Sequence, residues 1–277
     1  MRLGTSSPLK HETPVEWTEN QKQLGCTTVV FPVQSDEPEQ KIIAYKETAE
    51  KAGLTIAEVG IWRNALAADA DERRKNMDYC IEQLRMADYI GARCCVNVAG
   101  AFGPVWDGGY KANFTDEARE ATVKMVREII DRAGIKKTYF TLEPMPWMIP
   151  TGPDDYLRLI EEVDRDRFAV HMDIINMTNS IDRYFNAAEM VDECAEKLGS
   201  LIKSCHIKDV HLASAYTVRL EECAPGCGEY PLRYYAEKMH DIDPEIPMIL
   251  EHLSNDDDYI RYMGYLKEEL NGLYKTL

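Results

Sequence analysis

Eight short β-rich runs alternate with eight helical runs along this chain, and that alternation restricts the fold more than any other feature of the sequence. A run of Val, Ile, Thr and aromatic residues bounded by Gly or Pro reads as a strand, and a longer run with apolar positions every three to four residues reads as a helix. Strand runs fall at 2–6, 26–32, 55–62, 92–100 and 138–142, then in FAVHMDIIN around Asp173, in IKSCHIKD around His206, and at 247–253. Between them the helices carry their own start and stop signals. Thr13-Pro14 opens a helix that Gly25 closes; Glu37 to Ala52 precedes Gly53; Asp69 to Ile90 precedes Gly91. Thr115 caps a helix closed by Gly134, and further helices run from Asp154 to Val163, Ala187 to Leu198, Arg233 to His240 and Asp256 to Tyr274.

Strict alternation implies a parallel sheet with helices outside it. The 277 residues are close to the roughly 250 of one closed eightfold barrel. No G-x-G-x-x-G follows the first strand run, which weakens the alternative of an open, dinucleotide-binding sheet. The expected fold is therefore α/β, a single (β/α)8 barrel spanning 1–277.

Composition narrows the partners. A formal charge of −16 argues against nucleic acid, whose phosphates need Lys and Arg, and against an anionic membrane surface. The first residues lack an apolar leader core, and no stretch approaches the ~18 apolar residues of a membrane span. The eight cysteines include no C-x-x-C, and Cys94, Cys95 and Cys205 sit inside apolar runs as buried thiols do. Cys223 and Cys227 flank a loop, but nothing nearby completes a zinc set. These features lead us to expect a reduced, cytoplasmic protein.

Four consecutive strand runs each carry a metal-type ligand at or near their C-terminal end: Glu143, Asp173, His206 and Glu251. The spacings are 30, 33 and 45 residues, the last one stretched by the long connection ASAYTVRLEECAPGCGEYPL. In an eightfold barrel those ends face one cavity. Two Glu, one Asp and one His are mainly hard donors, suited to Mn²⁺, Mg²⁺ or Co²⁺ more than to a thiolate-type site, and carboxylates so close repel unless a cation bridges them. A lone strand-end Glu is usually solvated and a lone His in an apolar run is usually core; the argument rests on four residues in phase. Alternation along a strand puts Lys208 on the His206 face with Asp209 opposite, and places His171 behind Asp173 on the same face.

With LEP at Glu143, D-x-x-N at Asp173 and Asn176, HIKD at His206–Asp209, APGCGEY at 224–230 and LEH at Glu251, the sequence resembles the xylose isomerase-like TIM barrel superfamily. Within it, the resemblance is to the sugar phosphate isomerase/epimerase group that includes the D-tagatose 3-epimerase-like enzymes. It spans essentially the whole chain, and HIKD followed by PGxG is its most specific part. The resemblance implies one divalent metal per chain, Mn²⁺ first with Mg²⁺, Co²⁺ or Zn²⁺ as alternatives, held by Glu143, Asp173, His206 and Glu251. It further implies that Glu143 and Glu251 exchange a proton with a substrate carbon. Carboxylates on opposite faces of that carbon give epimerisation; one face, or a hydride shift, gives isomerisation.

Three positions depart from the epimerase pattern. Ile149 stands where those enzymes grip substrate with a Glu, Asn176 where they have a His, and Leu212 where they have an Arg, with Arg219 in the long loop as a substitute. The run Pro144 to Met148, including Trp147, points to a flatter or more apolar substrate end. Trp62, Arg63 and Asn97, at the tops of the third and fourth strands, are candidate contacts to sugar hydroxyls, with Lys208, Asn176, Trp147 and Arg219 as further substrate-binding candidates. Trp106 and Tyr110 in the Gly-rich loop are candidates for a lid or stacking wall, and His211 and His252 read as rim residues.

The expected function is a metal-dependent isomerase or epimerase of a small carbohydrate or sugar-like ketone. The closest rival is a lyase that begins with the same proton abstraction and eliminates water or an aglycone from a keto-inositol, keto-sugar or 3-keto-glycoside. Two remoter readings are a phosphodiesterase like the apurinic endonucleases, which would need more His and a basic surface, and a non-catalytic binding barrel. A homo-oligomer or a partner subunit is compatible with such barrels, and no residue pattern sets the number of copies.

Overall fold

A computed structural model describes residues 1–277. The N-terminal half contains β1 (Arg2–Thr5), α1 (Pro14–Leu24), β2 (Thr28–Val30), α2 (Glu39–Lys51), β3 (Thr55–Gly60), α3 (Ala70–Ile90), β4 (Cys94–Asn97) and α4 (Asp116–Ala133). There follow β5 (Tyr139–Leu142), α5 (Pro153–Val163), β6 (Phe168–Met172), α6 (Ile174–Met177), α7 (Ile181–Phe185) and α8 (Ala187–Leu198). The chain ends with β7 (Ile202–Ile207), β8 (Asp209–Leu212), β9 (Leu220–Cys223), α9 (Leu232–Ile242), β10 (Pro247–Leu250) and α10 (Asp256–Glu269).

Eight parallel strands pair in the order β1-β10-β7-β6-β5-β4-β3-β2, and the ends of that series approach each other where Thr27 donates its N–H to the Leu3 carbonyl at 2.9 Å. Gly4 permits this closure, because a Cβ there would fall on the Thr28 carbonyl oxygen. The result is a near-closed (β/α)8 barrel with helices between the strands. Its apolar core lies between the sheet and the helices and includes the fully buried Trp17, Phe140, Tyr156 and Tyr235.

Local chemistry sets the helix ends. The side chains of Thr13, Asp69 and Thr115 accept from N–H groups of the first turns of α1, α3 and α4, each cap contributing about 1 kcal/mol. Gly25, Gly91 and Gly134 close the same three helices in the left-handed region. Several helix ends differ from the sequence expectation, those of α2 and α10 among them. Pro38 cannot donate within a helix, so α2 starts at Glu39 rather than Glu37, and α10 stops at Glu269, ahead of Gly272 at φ 88°.

The long connection after His206 forms an antiparallel hairpin, β8 paired with β9, and not an irregular loop. Two short helices, α6 and α7, also precede α8 where the sequence suggested only one helix. The last barrel strand ends at Leu250 instead of running to 253, and His252 turns out of the ladder at φ 56°.

Candidate active site

Glu143 follows β5, held in register by its N–H to the Asn97 carbonyl at 2.8 Å. Asp173 follows β6 and caps α6, accepting the Asn176 N–H at 2.9 Å. His206 lies in β7, and Glu251 directly follows β10. All four are buried, and one ligand-type atom from each lies within 4.8 Å of all the others. His206 Nδ1 is 2.9 Å from Glu251 Oε2, 3.4 Å from Glu143 Oε1 and 3.6 Å from Asp173 Oδ2, yet makes no hydrogen bond of acceptable geometry. A buried ring nitrogen converging with three carboxylates and bonded to none of them fits a divalent cation, for which N and O donors of this kind are suited.

Lys208 extends the same face of β7. Its ammonium, 1% exposed, sits 2.7 Å from Asp173 Oδ2, 2.7 Å from Glu251 Oε1 and 3.0 Å from Glu222 Oε2 on β9. Glu222 also meets His252 Nδ1 at 3.0 Å, so the hairpin is fastened over the barrel mouth by its charge partners.

Burial and neighbours drive the two outer carboxylates apart. Glu143 is pushed above the usual carboxylate range by burial, reinforced by Glu251 and Asp173 and only partly opposed by His206. Glu251 is held below it, because His206 and Lys208 outweigh its burial. Asp173 is held well below by Lys208 and His206, again against burial.

Behind this set lies a buried group that the sequence reading missed. Glu58, in the interior of β3, is 3.0 Å from His171 Nε2 and 3.4 Å from His206 Nε2, and it accepts the Ser204 hydroxyl. The His171 and His206 rings meet edge-on, their centroids 4.2 Å apart. The available signal was a single Glu in an otherwise apolar strand, TIAEVGIW.

A cleft of about 420 Å³ opens on this set between Pro146, Trp147, Ile175, Asn176, Leu220 and Glu222. Asn176 connects the two, donating from Nδ2 to Glu143 Oε1 at 3.0 Å. Trp147 is 42% exposed, with its Nε1–H fixed to the Asp107 carbonyl at 2.7 Å.

Other candidates lie elsewhere. Asn97 is fully buried, and its amide exchanges hydrogen bonds with the Arg63 main chain at 3.1 and 2.9 Å, which locks the tops of β3 and β4. The Arg63 guanidinium lies over the Tyr79 ring, 4.8 Å from its centroid. Trp62, at φ 55°, folds its indole back over Gly60 while staying 38% exposed. Arg219 is on the outer hairpin, paired with Glu221, and does not enter the cleft in place of the Arg absent at Leu212. His211 also pairs with Glu221, and Tyr110 packs over Gly103 and Gly108 inside its own loop.

Asp209 explains why HIKD travels with PGxG. Its buried carboxylate accepts the N–H groups of Val210, Gly226, Gly228 and Tyr230 at 2.8 to 3.1 Å. A Cβ at Gly228 would collide with that carboxylate.

The family model described as xylose isomerase-like TIM barrel matches residues 18–269. No curated protein sequence matches the chain. Among solved structures, a xylose isomerase-like TIM barrel protein from Mycobacterium smegmatis in complex with magnesium superposes with a TM-score of 0.70 at 16% identity, covering 99% of this chain and 97% of that one. D-psicose 3-epimerase from Clostridium cellulolyticum H10, solved with D-tagatose, superposes with a TM-score of 0.67 at 16% identity, covering 99% and 96%. The probable 3-DHS dehydratase of petrobactin synthesis from Bacillus anthracis superposes with a TM-score of 0.72 at 16% identity, covering 96% and 99%. At these identities the likeness is one of fold.

Proposed function

The chain belongs to the xylose isomerase-like TIM barrel family, and from that premise we propose that it is a divalent-metal-dependent isomerase or epimerase of a small sugar or sugar-like ketone. The observation that carries this reading is the convergence of Glu143, Asp173, His206 and Glu251 on one buried point, with His206 Nδ1 left unbonded there. Those four residues would hold one metal per chain, Mn²⁺ first and Mg²⁺, Co²⁺ or Zn²⁺ as alternatives. When bound, the cation supplies Lewis-acid stabilisation of the charge that develops on a carbonyl oxygen as the neighbouring C–H proton leaves.

The proton work falls to the chain. Glu143, following β5, and Glu251, following β10, are the two carboxylates placed to take a proton from the substrate carbon and to return one. The two belong to strands on either side of β6 and β7, so they can address opposite faces of one carbon. That arrangement supports epimerisation over a one-face shift. Asn176 orients Glu143, and the hairpin carrying Glu222 restricts water at the mouth.

A second reading rests on the same residues. Proton abstraction followed by loss of water or an aglycone would make the protein a lyase, and a probable dehydratase stands among the structural neighbours. Both readings place the protein as an enzyme acting on a small molecule, with nucleic acid disfavoured by the −16 charge. Eight unpaired cysteines support a reducing, cytoplasmic setting. No helix is long and apolar enough to cross a membrane.

Elemental analysis of the purified protein beside E251Q and H206A tests the site. We expect about one Mn, Co, Mg or Zn per chain, lost in both variants. A folded wild type that stays metal-free after Mn²⁺ is added would overturn the reading. Incubating ketoses and keto-glycosides in D₂O then separates the two chemistries: an epimerase returns product of equal composition carrying one deuterium, and a lyase releases water or aglycone.

A further inference from the structure

The β8–β9 hairpin is fixed firmly at one end and lightly at the other. At its base the Asp209 carboxylate accepts four main-chain N–H groups, and the Glu229 N–H meets the Val210 carbonyl at 3.1 Å. On β8 the Leu212 N–H donates to the Tyr184 hydroxyl at 3.2 Å. β9 pairs with β8 alone, in a sheet separate from the barrel. Among the side chains from 213 to 223, Glu222 is the one that forms an ion pair or hydrogen bond outside the hairpin, since Arg219 and Glu221 bond to each other and Glu221 to His211. Leu220 adds a half-buried apolar contact, and the tip stands in solvent at Tyr216 and Val218.

Glu222 is also where hairpin, cleft and ligand set meet. Glu143, Asp173, His206 and Glu251 do not line the cleft themselves; they adjoin it through Asn176, bonded to Glu143, and through Glu222, whose Oε2 lies 3.0 Å from Lys208 Nζ. Lys208 Nζ in turn lies 2.7 Å from both Asp173 Oδ2 and Glu251 Oε1. From the other side His252 Nδ1 sits 3.0 and 3.1 Å from the two Glu222 oxygens, presented there by left-handed backbone at φ 56°. The Lys208 side chain is 1% exposed and that of Glu222 34%. Such a contact at the edge of solvent can break without stranding a buried charge, because Asp173 and Glu251 still hold the ammonium.

We propose that Glu222 is a releasable latch on the barrel mouth. The hairpin pivots at the Asp209 clip, and parting Glu222 from Lys208 and His252 opens the path by which a divalent cation reaches Glu143, Asp173, His206 and Glu251. The inference rests on the reading of those four residues as a metal site and adds a residue that controls traffic to it without binding the cation.

The rates of Mn²⁺ exchange test it, compared among wild type, E222Q and E221Q. Association is followed by stopped-flow quenching of tryptophan fluorescence, and release by EDTA at concentrations where the rate no longer depends on EDTA. A latch governs both directions, so E222Q is expected to speed association and release alike by about tenfold, the effect of one lost charge-assisted contact, with Kd nearly unchanged. E221Q, altered on the outer face of β9, keeps both wild-type rates. If Glu222 acts only through its charge, its loss slows association while speeding release, and the latch is overturned. Unaltered rates in E222Q overturn the latch alone, whereas a wild type that takes up no Mn²⁺ removes the metal reading with it. Amide hydrogen exchange gives a second measurement without metal: residues 219–223 exchange faster in E222Q and β4 does not change. Equal exchange of 219–223 in the two proteins also overturns the proposal.

Discussion

Glu58 Oε2 lies 3.4 Å from His206 Nε2, on the side of the imidazole opposite the carboxylate cluster. A carboxylate there draws the ring proton to Nε2 and leaves Nδ1 as the lone pair that faces Glu143, Asp173 and Glu251. Burial alone would favour a neutral Glu58, but His171 and His206 hold its carboxyl far below the usual range. E58Q keeps the shape and removes the charge. We expect its Mn²⁺ affinity to fall about 10–100-fold, measured by titration with EPR detection of free Mn²⁺. The ¹⁵N shifts of His206 in the Mg²⁺-loaded wild type report the tautomer directly, and a dominant Nδ1–H form would refute the assignment.

Asp209 takes four main-chain N–H groups while 1% exposed, so its charge is part of the fold rather than of the chemistry. D209N offers an amide NH₂ to a ring of donors. The expected loss is about 2–4 kcal/mol, from charged hydrogen bonds of roughly 1.5–3 kcal/mol with partial relaxation, read from urea melts. G228A should resemble it, since the added methyl displaces the same carboxylate. Limited proteolysis should cut both variants in 213–219 faster than the wild type.

The fold was legible in the sequence because its signals are local. Thr13-Pro14, Asp69 and Thr115 announce helices, and Gly25, Gly91 and Gly134 end them, without reference to the rest of the chain. The positions of Glu143, Asp173, His206 and Glu251 were equally visible, since strand-end placement follows from the barrel itself. Glu58 was not, because nothing local separates a buried Glu from a solvated one; its partners His171, Ser204 and His206 are over a hundred residues away. The hairpin was hidden for a related reason: β9 is a charged, half-exposed strand, LEEC, whose pairing with β8 depends on Asp209 and Glu222. Asn97 and Arg219 had the composition of sugar contacts, but main-chain bonds occupy the first and Glu221 the second.

Lys208 shares two carboxylates with the candidate metal set, Asp173 Oδ2 and Glu251 Oε1 each lying 2.7 Å from its ammonium. These carboxylates hold its proton well above the usual lysine range despite burial. K208M therefore removes a cation and leaves Asp173, Glu251 and Glu222 to repel one another, a loss of about 3–5 kcal/mol for one broken side of a buried ion pair. A dication restores the missing charge. Thermal melts should find K208M far less stable than wild type in EDTA, and Mn²⁺ should raise its Tm by more than it raises the wild type's. Equal shifts in the two proteins would mean that Lys208 and the cation do not share ligands.

Asp88 gives a stability effect with a defined pH sign. From α3 its Oδ1 accepts the N–H groups of Lys136, Lys137 and Thr138 at 3.0, 2.6 and 2.9 Å, which fixes the turn leading into β5. These bonds favour the ionised form and overcome the opposing effect of partial burial, so its pKa is lowered in the fold. A folded pKa below the unfolded value of about 3.9 means that the unfolded chain binds the proton first on acidification. The stabilisation is complete above the unfolded pKa and is lost as the pH falls through the folded one. D88N should be less stable than wild type by about 1–2 kcal/mol at pH 7, the side chain being partly exposed. In urea titrations from pH 7 to pH 3 the gap should hold constant to about pH 5 and shrink below about pH 4. A gap that widens on acidification would show that Asp88 is not the group whose charge secures this turn.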